Sequence, residues 1–353
     1  MSTVAAAVVF RLVFLGNMEL VAWIRFVVKY GLVIGVAFLV LGFTVQFVRG
    51  SKRAVQILSS AAGLICVTVL ALVVAEFGVR FAYRDVTTTA DNESYFSDRW
   101  HENVRYNSLG FREREFDTDK SPGTYRIAVI GDSFAYGQGI EEQERFSNLL
   151  ENWLNEQSAD REYEVLNFAR PGYETLDEID VLEKTVLRIN PDFVLLQWYI
   201  NDVQGHESEK YEAGQSLNLV PHRLRRRSAL FYLIHEQIAR FTSPGTSFDD
   251  YQVAEFGDEQ SPASVAAKGT LQAFVRACKN RGIAVGIVVF SESYFRETPL
   301  DFLADRVLAL CEEESIPCVD MRGKLLEYKE GRKLWASRLD PHPSAFANKL
   351  TAE

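Results

Sequence analysis

Cysteine is scarce: four residues in 353, with no Cys-x-x-Cys spacing. A disulfide scaffold or a zinc knuckle needs more, more closely grouped. Positive charge is also short, 38 Lys and Arg against 48 Asp and Glu, a net charge of −10. Nucleic-acid binders usually present a basic face, so no nucleic-acid partner is expected. No third glycine follows Gly137-Gln138-Gly139 at the interval a dinucleotide loop requires. Hydrophobic residues make up 47 % and charged residues 24 %, the balance of a folded protein, which excludes disorder and collagen.

Charge is missing altogether from two long runs. Tyr30–Val48 is 19 residues without a charge, and Ala54–Ala75 is 22. At 1.5 Å per residue each is long enough to cross a hydrocarbon core of about 30 Å. Only helices satisfy their own backbone there, so two transmembrane helices are expected, about 30–48 and 54–75, within an anchor over 1–83. The runs are too long, and too clearly paired, for a cleaved signal peptide. Between them lies Arg49-Gly50-Ser51-Lys52-Arg53, whose cations mark a cytoplasmic turn. The rest of the chain is then periplasmic or extracellular, anchored in the inner membrane. Residues 1–24, broken by Arg11 and Glu19, read as an interfacial helix or a third crossing.

Residues 84–123 are polar and read as a linker or stalk. The pattern then changes. Short apolar runs at Tyr125–Ile130, Tyr163–Asn167, Phe193–Gln197, Ala284–Phe290 and Pro317–Asp320 read as buried strands. Helical patterns fall at about Arg145–Gln157, Thr175–Ile189, Ser264–Arg281 and Leu300–Glu314. This alternation predicts an α/β domain over 124–353, with a parallel sheet covered on both faces. Residues 203–262 interrupt it as an insertion. It carries Arg223 and Arg225–Arg227, then Ser228–Phe241 with Leu230, Leu233, Ile234, Gln237, Ile238 and Phe241 near helical spacing. It reads as a helix packed on the domain, or as a lid or membrane-facing patch. Cys311 and Cys318 are read either as a pair or as buried thiols.

In such sheets ligands bind at the carboxyl ends of the strands. Gly131-Asp132-Ser133 follows the first strand, Arg170-Pro171-Gly172 the second and Asn201-Asp202 the third, and Asp340-Pro341-His342 lies near the C-terminus. A serine just past a strand end can point its hydroxyl at the cleft, and a glycine lets backbone approach a ligand. Taken singly, each is an ordinary turn or cap.

Together, in this order, the four blocks resemble the SGNH (GDSL-type) hydrolase superfamily over roughly 107–353. The resemblance implies a three-layer α/β/α, flavodoxin-like fold behind the transmembrane hairpin. Ser133, Gly172, Asn201 and His342 match the four name-giving residues. It implies Ser133 as nucleophile, His342 as base and Asp340 as the group orienting the imidazole. Ser133, Gly172 and Asn201 would form the oxyanion hole, with no metal or cofactor. The other histidines, 101, 206, 222 and 235, lie in the stalk or the insertion. The family usually carries Asp-x-x-His; here one residue separates the pair, which leaves Asp340 or a backbone carbonyl to hold His342. Asn107-Ser108-Leu109-Gly110-Phe111-Arg112 looks like a segment found ahead of the first block in membrane-linked relatives, with structural docking as its default role.

The expected activity is that of a serine esterase removing O-acetyl groups from cell-envelope or exported polysaccharide. The expected partners are the membrane, an acylated carbohydrate or lipid substrate, and envelope polysaccharide machinery. An O-acyltransferase using the same serine, a lipid esterase and a non-catalytic glycan-binding module are the alternatives.

Overall fold

The computed structural model describes residues 35, 40, 42–44, 52–90, 93–203, 219–242, 248–294, 296–328 and 333–353. The chain divides into two compact units, Met1–Asp85 with Leu219–Gln237, and Val86–Asn218 with Ile238–Glu353.

The larger unit is built on five parallel strands: β1 Thr124–Ile130, β2 Glu162–Asn167, β3 Phe193–Trp198, β4 Ala284–Val289 and β5 Cys318–Asp320. Their order is β2-β1-β3-β4-β5. Side chains alternate across the sheet, as strand geometry requires. Ala128, Ile130, Leu196 and Ile287 join one buried cluster, together with helices Thr175–Lys184, Pro262–Lys279 and Asp301–Glu314. Ile127 and Val129 face the other way, onto helix Phe146–Gln157, and Val288 meets helices Met321–Leu326 and Ala345–Ala352. The result is the expected three-layer α/β/α arrangement. Each strand lies within a residue of its sequence-based position, because a buried parallel strand is nearly continuous in apolar residues.

Two short strands escaped the sequence reading: β6 Trp335–Ser337 and β7 Asp340–Pro343, an antiparallel pair outside the main sheet. They carry too few residues for a periodic signal. Cys311 and Cys318 form a disulfide with Cα atoms 6.2 Å apart, while Cys278 is a free buried thiol whose pKa burial pushes up to about 12.

The stretch 84–123 differs from the expected stalk: from Val86 onward it is built into the larger unit. Tyr95, Phe96 and Trp100 of helix Tyr95–His101 are buried, as is Phe111. The segment Asn107–Arg112 docks structurally. Arg112 donates to the carbonyls of Tyr136 at 3.1 Å, Gly137 at 2.7 Å and Ile140 at 2.7 Å, closing the end of helix Ser133–Tyr136. The next residue, Glu113, is buried against Arg145 at 3.2 Å and accepts from the backbone N–H of Asn167 at 3.0 Å. A stretch that looks hydrophilic thus spends its charges on buried partners.

In the smaller unit, Val55–Ala82 within helix Lys52–Ala82 is long and apolar enough to cross a membrane, and its side chains are largely exposed. The expected first crossing, about 30–48, lies largely outside the described residues; only 35, 40 and 42–44 of it are described, all helical. Residues 1–24 and Arg49–Ser51 of the basic turn also lie outside them. Glu76 is buried and accepts from Ser228 Oγ at 2.6 Å and from the N–H groups of Ala229 and Leu230 at 3.1 and 2.9 Å. It thereby caps helix Ala229–Thr242, as acidic groups do at helix N-termini. The buried side of that helix is Ala229, Tyr232 and His235, whereas Ile234 and Phe241 are exposed. The Arg225 guanidinium lies 2.8 Å from the His235 ring on that buried side. Residues 204–218 and 243–247 of the insertion lie outside the described residues.

Candidate active site

The site forms where the chain leaves the carboxyl ends of β1, β2 and β3. After β1, Asp132 caps helix Ser133–Tyr136, its carboxylate accepting from Phe134 N–H at 2.8 Å. Gln197 of β3 reaches across, and its Oε1 accepts from the N–H groups of Asp132 at 3.3 Å and Ala135 at 2.9 Å. The turn carrying Ser133 is therefore pinned to the neighbouring strand.

His342 Nε2 lies 2.8 Å from Ser133 Oγ. On the other side of the ring, Nδ1 lies 2.5 Å from Asp340 Oδ1. The same Oδ1 accepts the backbone N–H of His342 at 3.1 Å. That double contact answers the unusual spacing. With Pro341 fixing the backbone between them, the carboxylate folds back onto its own strand and receives both the ring and the main chain of His342. Burial alone would lower the His342 pKa, but the Asp340 carboxylate and its hydrogen bond outweigh that and hold it above the ordinary value. Burial would raise Asp340, yet the charge of His342 and hydrogen bonds from His342 and Thr88 hold it below the usual carboxylate range.

Gly172 and Asn201 line one cavity with Ser133 and His342, of about 440 Å³. Gly172 has φ +76°, a left-handed conformation that other residues rarely adopt. Asn201 donates to the carbonyl of Tyr173 at 3.2 Å. The following Asp202 accepts the N–H of Tyr199 at 2.8 Å, which fixes the turn. Burial, and then the nearby charge of Glu178, pushes Asp202 well above the usual carboxylate range. All five residues singled out from the sequence thus meet at one edge of the sheet.

A family model for the GDSL-like lipase/acylhydrolase family matches residues 129–350, more than half of the chain. The chain belongs to that family. No curated protein sequence matches it. Among solved structures, an acetyl xylan esterase is 16 % identical, over 64 % of this chain and 96 % of its own, with a TM-score of 0.42. A variant of an acetyl xylan esterase from Geobacillus stearothermophilus is 15 % identical, over 67 % and 94 %, with a TM-score of 0.40. An alpha/beta hydrolase from the metagenome of Lake Arreo, Spain, is 17 % identical, over 65 % and 91 %, with a TM-score of 0.41.

This GDSL-like acylhydrolase also has cavity residues that the sequence reading passed over. Glu292 lines the cavity, held by Arg296 and by Tyr199 Oη at 3.4 Å. It stands three residues past the end of β4, so the strand-end rule applied to that strand would have found it. Gln138 lines the cavity with its amide nitrogen bound to the Thr89 carbonyl at 3.1 Å. Its amide oxygen has no hydrogen-bond partner among the described residues.

Proposed function

We propose that this acylhydrolase is a membrane-anchored serine esterase that removes O-acetyl groups from a carbohydrate outside the cytoplasm. One observation carries the reading: the continuous Ser133–His342–Asp340 chain of hydrogen bonds opens on the cavity that Gly172 and Asn201 also line. Neutral His342 takes the Ser133 proton as Oγ attacks the ester carbonyl. Asp340 holds the ring and stabilises the imidazolium that results. The N–H groups of Ser133 and Gly172 and the Asn201 amide receive the oxyanion. The imidazolium returns the proton to the departing alkoxide, and water, activated by the same base, releases the acyl group.

The cavity wall favours a sugar-borne acyl group over a long apolar chain. A carboxylate, Glu292, and the amide oxygen of Gln138, which has no partner among the described residues, are acceptors for hydroxyl donors, and an alkyl chain would leave the Gln138 oxygen unsatisfied. Purified full-length protein is expected to release acetate from an O-acetylated polysaccharide faster than palmitate from p-nitrophenyl palmitate. Faster palmitate release would make it a lipid esterase. Acetyl passed to an acceptor sugar without free acetate would make it an acyltransferase.

The extracytoplasmic location is supported by the Cys311–Cys318 disulfide, a bond rare in reducing compartments, and membrane anchoring by the apolar helix Val55–Ala82. A reporter active only outside the cytoplasm is expected to be active when fused after Glu353 and silent within Arg49–Arg53. The reverse pattern would put the enzyme in the cytoplasm and end the envelope-glycan reading.

A further inference from the structure

We infer that Thr88, in the segment that follows the apolar helix in the chain, is a positioning residue that completes the catalytic relay by holding Asp340. The inference rests on the roles proposed above for Ser133, His342 and Asp340.

A carboxylate has two oxygens, and His342 uses only Oδ1 of Asp340. Asp340 is fully buried, so Oδ2 needs a donor of its own. Thr88, also fully buried, donates its hydroxyl to Oδ2. With both oxygens held, the carboxyl plane cannot turn, and Oδ1 stays aimed at Nδ1. The β-branched threonine adds stiffness at χ1.

The segment is strapped into place on both sides of Thr88. Ser337 Oγ donates to the Thr88 carbonyl at 2.9 Å, and Ser337 is paired with Asp340 across the β6–β7 hairpin. Thr87 Oγ1 donates to the Gly139 carbonyl at 3.2 Å. Gln138 binds the Thr89 carbonyl. Gly139, at φ +84°, lies so close that a Cβ there would come within 2.5 Å of Thr88 Oγ1. The glycine leaves the space the hydroxyl occupies. Thr88 also lies well ahead of residue 129, where the family match begins.

The test compares variants of the full chain on p-nitrophenyl acetate across pH. The base works as neutral imidazole, so activity falls as pH drops through the His342 pKa, which lies above the ordinary value of about 6.5. Other titratable groups facing the pair are Asp132 and Tyr294, with Glu292 and Tyr199 in the cavity wall; the variants leave all four in place. Thr88→Val is expected to lower kcat by roughly 10- to 100-fold with KM within about twofold. Its acidic limb should move to higher pH, because a carboxylate that has lost its second donor binds the imidazolium more tightly. Thr88→Ser should restore both rate and limb. Thr87→Val, which loses one strap of the segment but no bond to Asp340, should cost clearly less rate than Thr88→Val and leave the limb unmoved.

Wild-type kcat and limb in Thr88→Val would overturn the proposal. So would equal losses in Thr87→Val and Thr88→Val with the limb unmoved, which would make the segment simple packing. If Thr88→Val fails to fold, Thr88→Ser against Thr88→Ala carries the same test, since both drop the methyl and only one keeps the hydroxyl. Ser133→Ala is run in parallel. If it stays active, the relay reading itself fails; if it is dead while Thr88→Val is normal, only the role of Thr88 falls.

Discussion

Ser133→Ala is expected to reduce ester hydrolysis on the order of 10⁴-fold or more while leaving the fold intact. Among the described residues the hydroxyl makes one hydrogen bond, with His342 Nε2, and the turn that carries it is held by Asp132, Gln197 and Arg112 rather than by the Ser133 side chain. Removing it therefore deletes the proposed nucleophile without loosening the scaffold. A fluorophosphonate probe should label the wild-type protein at Ser133 and not the variant. Wild-type-like turnover in the variant would refute the acyl-enzyme mechanism, and a wild-type protein that takes no label would favour a glycan-binding module on a dead fold.

Asp340→Asn is expected to lower kcat by roughly 10³-fold or more, with substrate binding little changed. Its amide oxygen can still occupy the Oδ1 position, where the backbone and ring of His342 both donate. What disappears is the negative charge that, in the proposed mechanism, stabilises the imidazolium. The same charge keeps the His342 pKa raised, so the acidic limb of kcat/KM should move to lower pH in this variant. That shift is opposite in sign to the one expected for Thr88→Val, so the two substitutions report separately on charge and on positioning. A loss under about tenfold would mean that a backbone carbonyl orients the ring instead.

The short spacing Asp340-Pro341-His342 illustrates where sequence reading stopped. Residue types and chain order pointed to the pair, but only coordinates show the carboxylate folding back to take both the N–H and Nδ1 of its second neighbour. The polar run 84–123 is a second instance. Its composition looks like a solvated stalk, yet Arg112 and Glu113 are buried, because their charges are matched by groups brought in from Tyr136, Gly137, Ile140, Arg145 and Asn167. On helix Ala229–Thr242, spacing alone left open whether the apolar stripe packs inward or faces outward; in the structure Ala229, Tyr232 and His235 are buried and Ile234 and Phe241 are exposed.

By itself the sequence determined the five parallel strands, the helices between them, the long apolar helix, and the strand ends at which Ser133, Gly172 and Asn201 stand. Those features are written in local periodicity, the alternation of side chains along a strand and the 3.6-residue repeat of a helix, which needs no knowledge of distant contacts. The tertiary structure alone decided which polar groups are buried together. Thr88 and Asp340 are 252 residues apart in the chain, and no local pattern marks a threonine hydroxyl that finds its carboxylate across that separation.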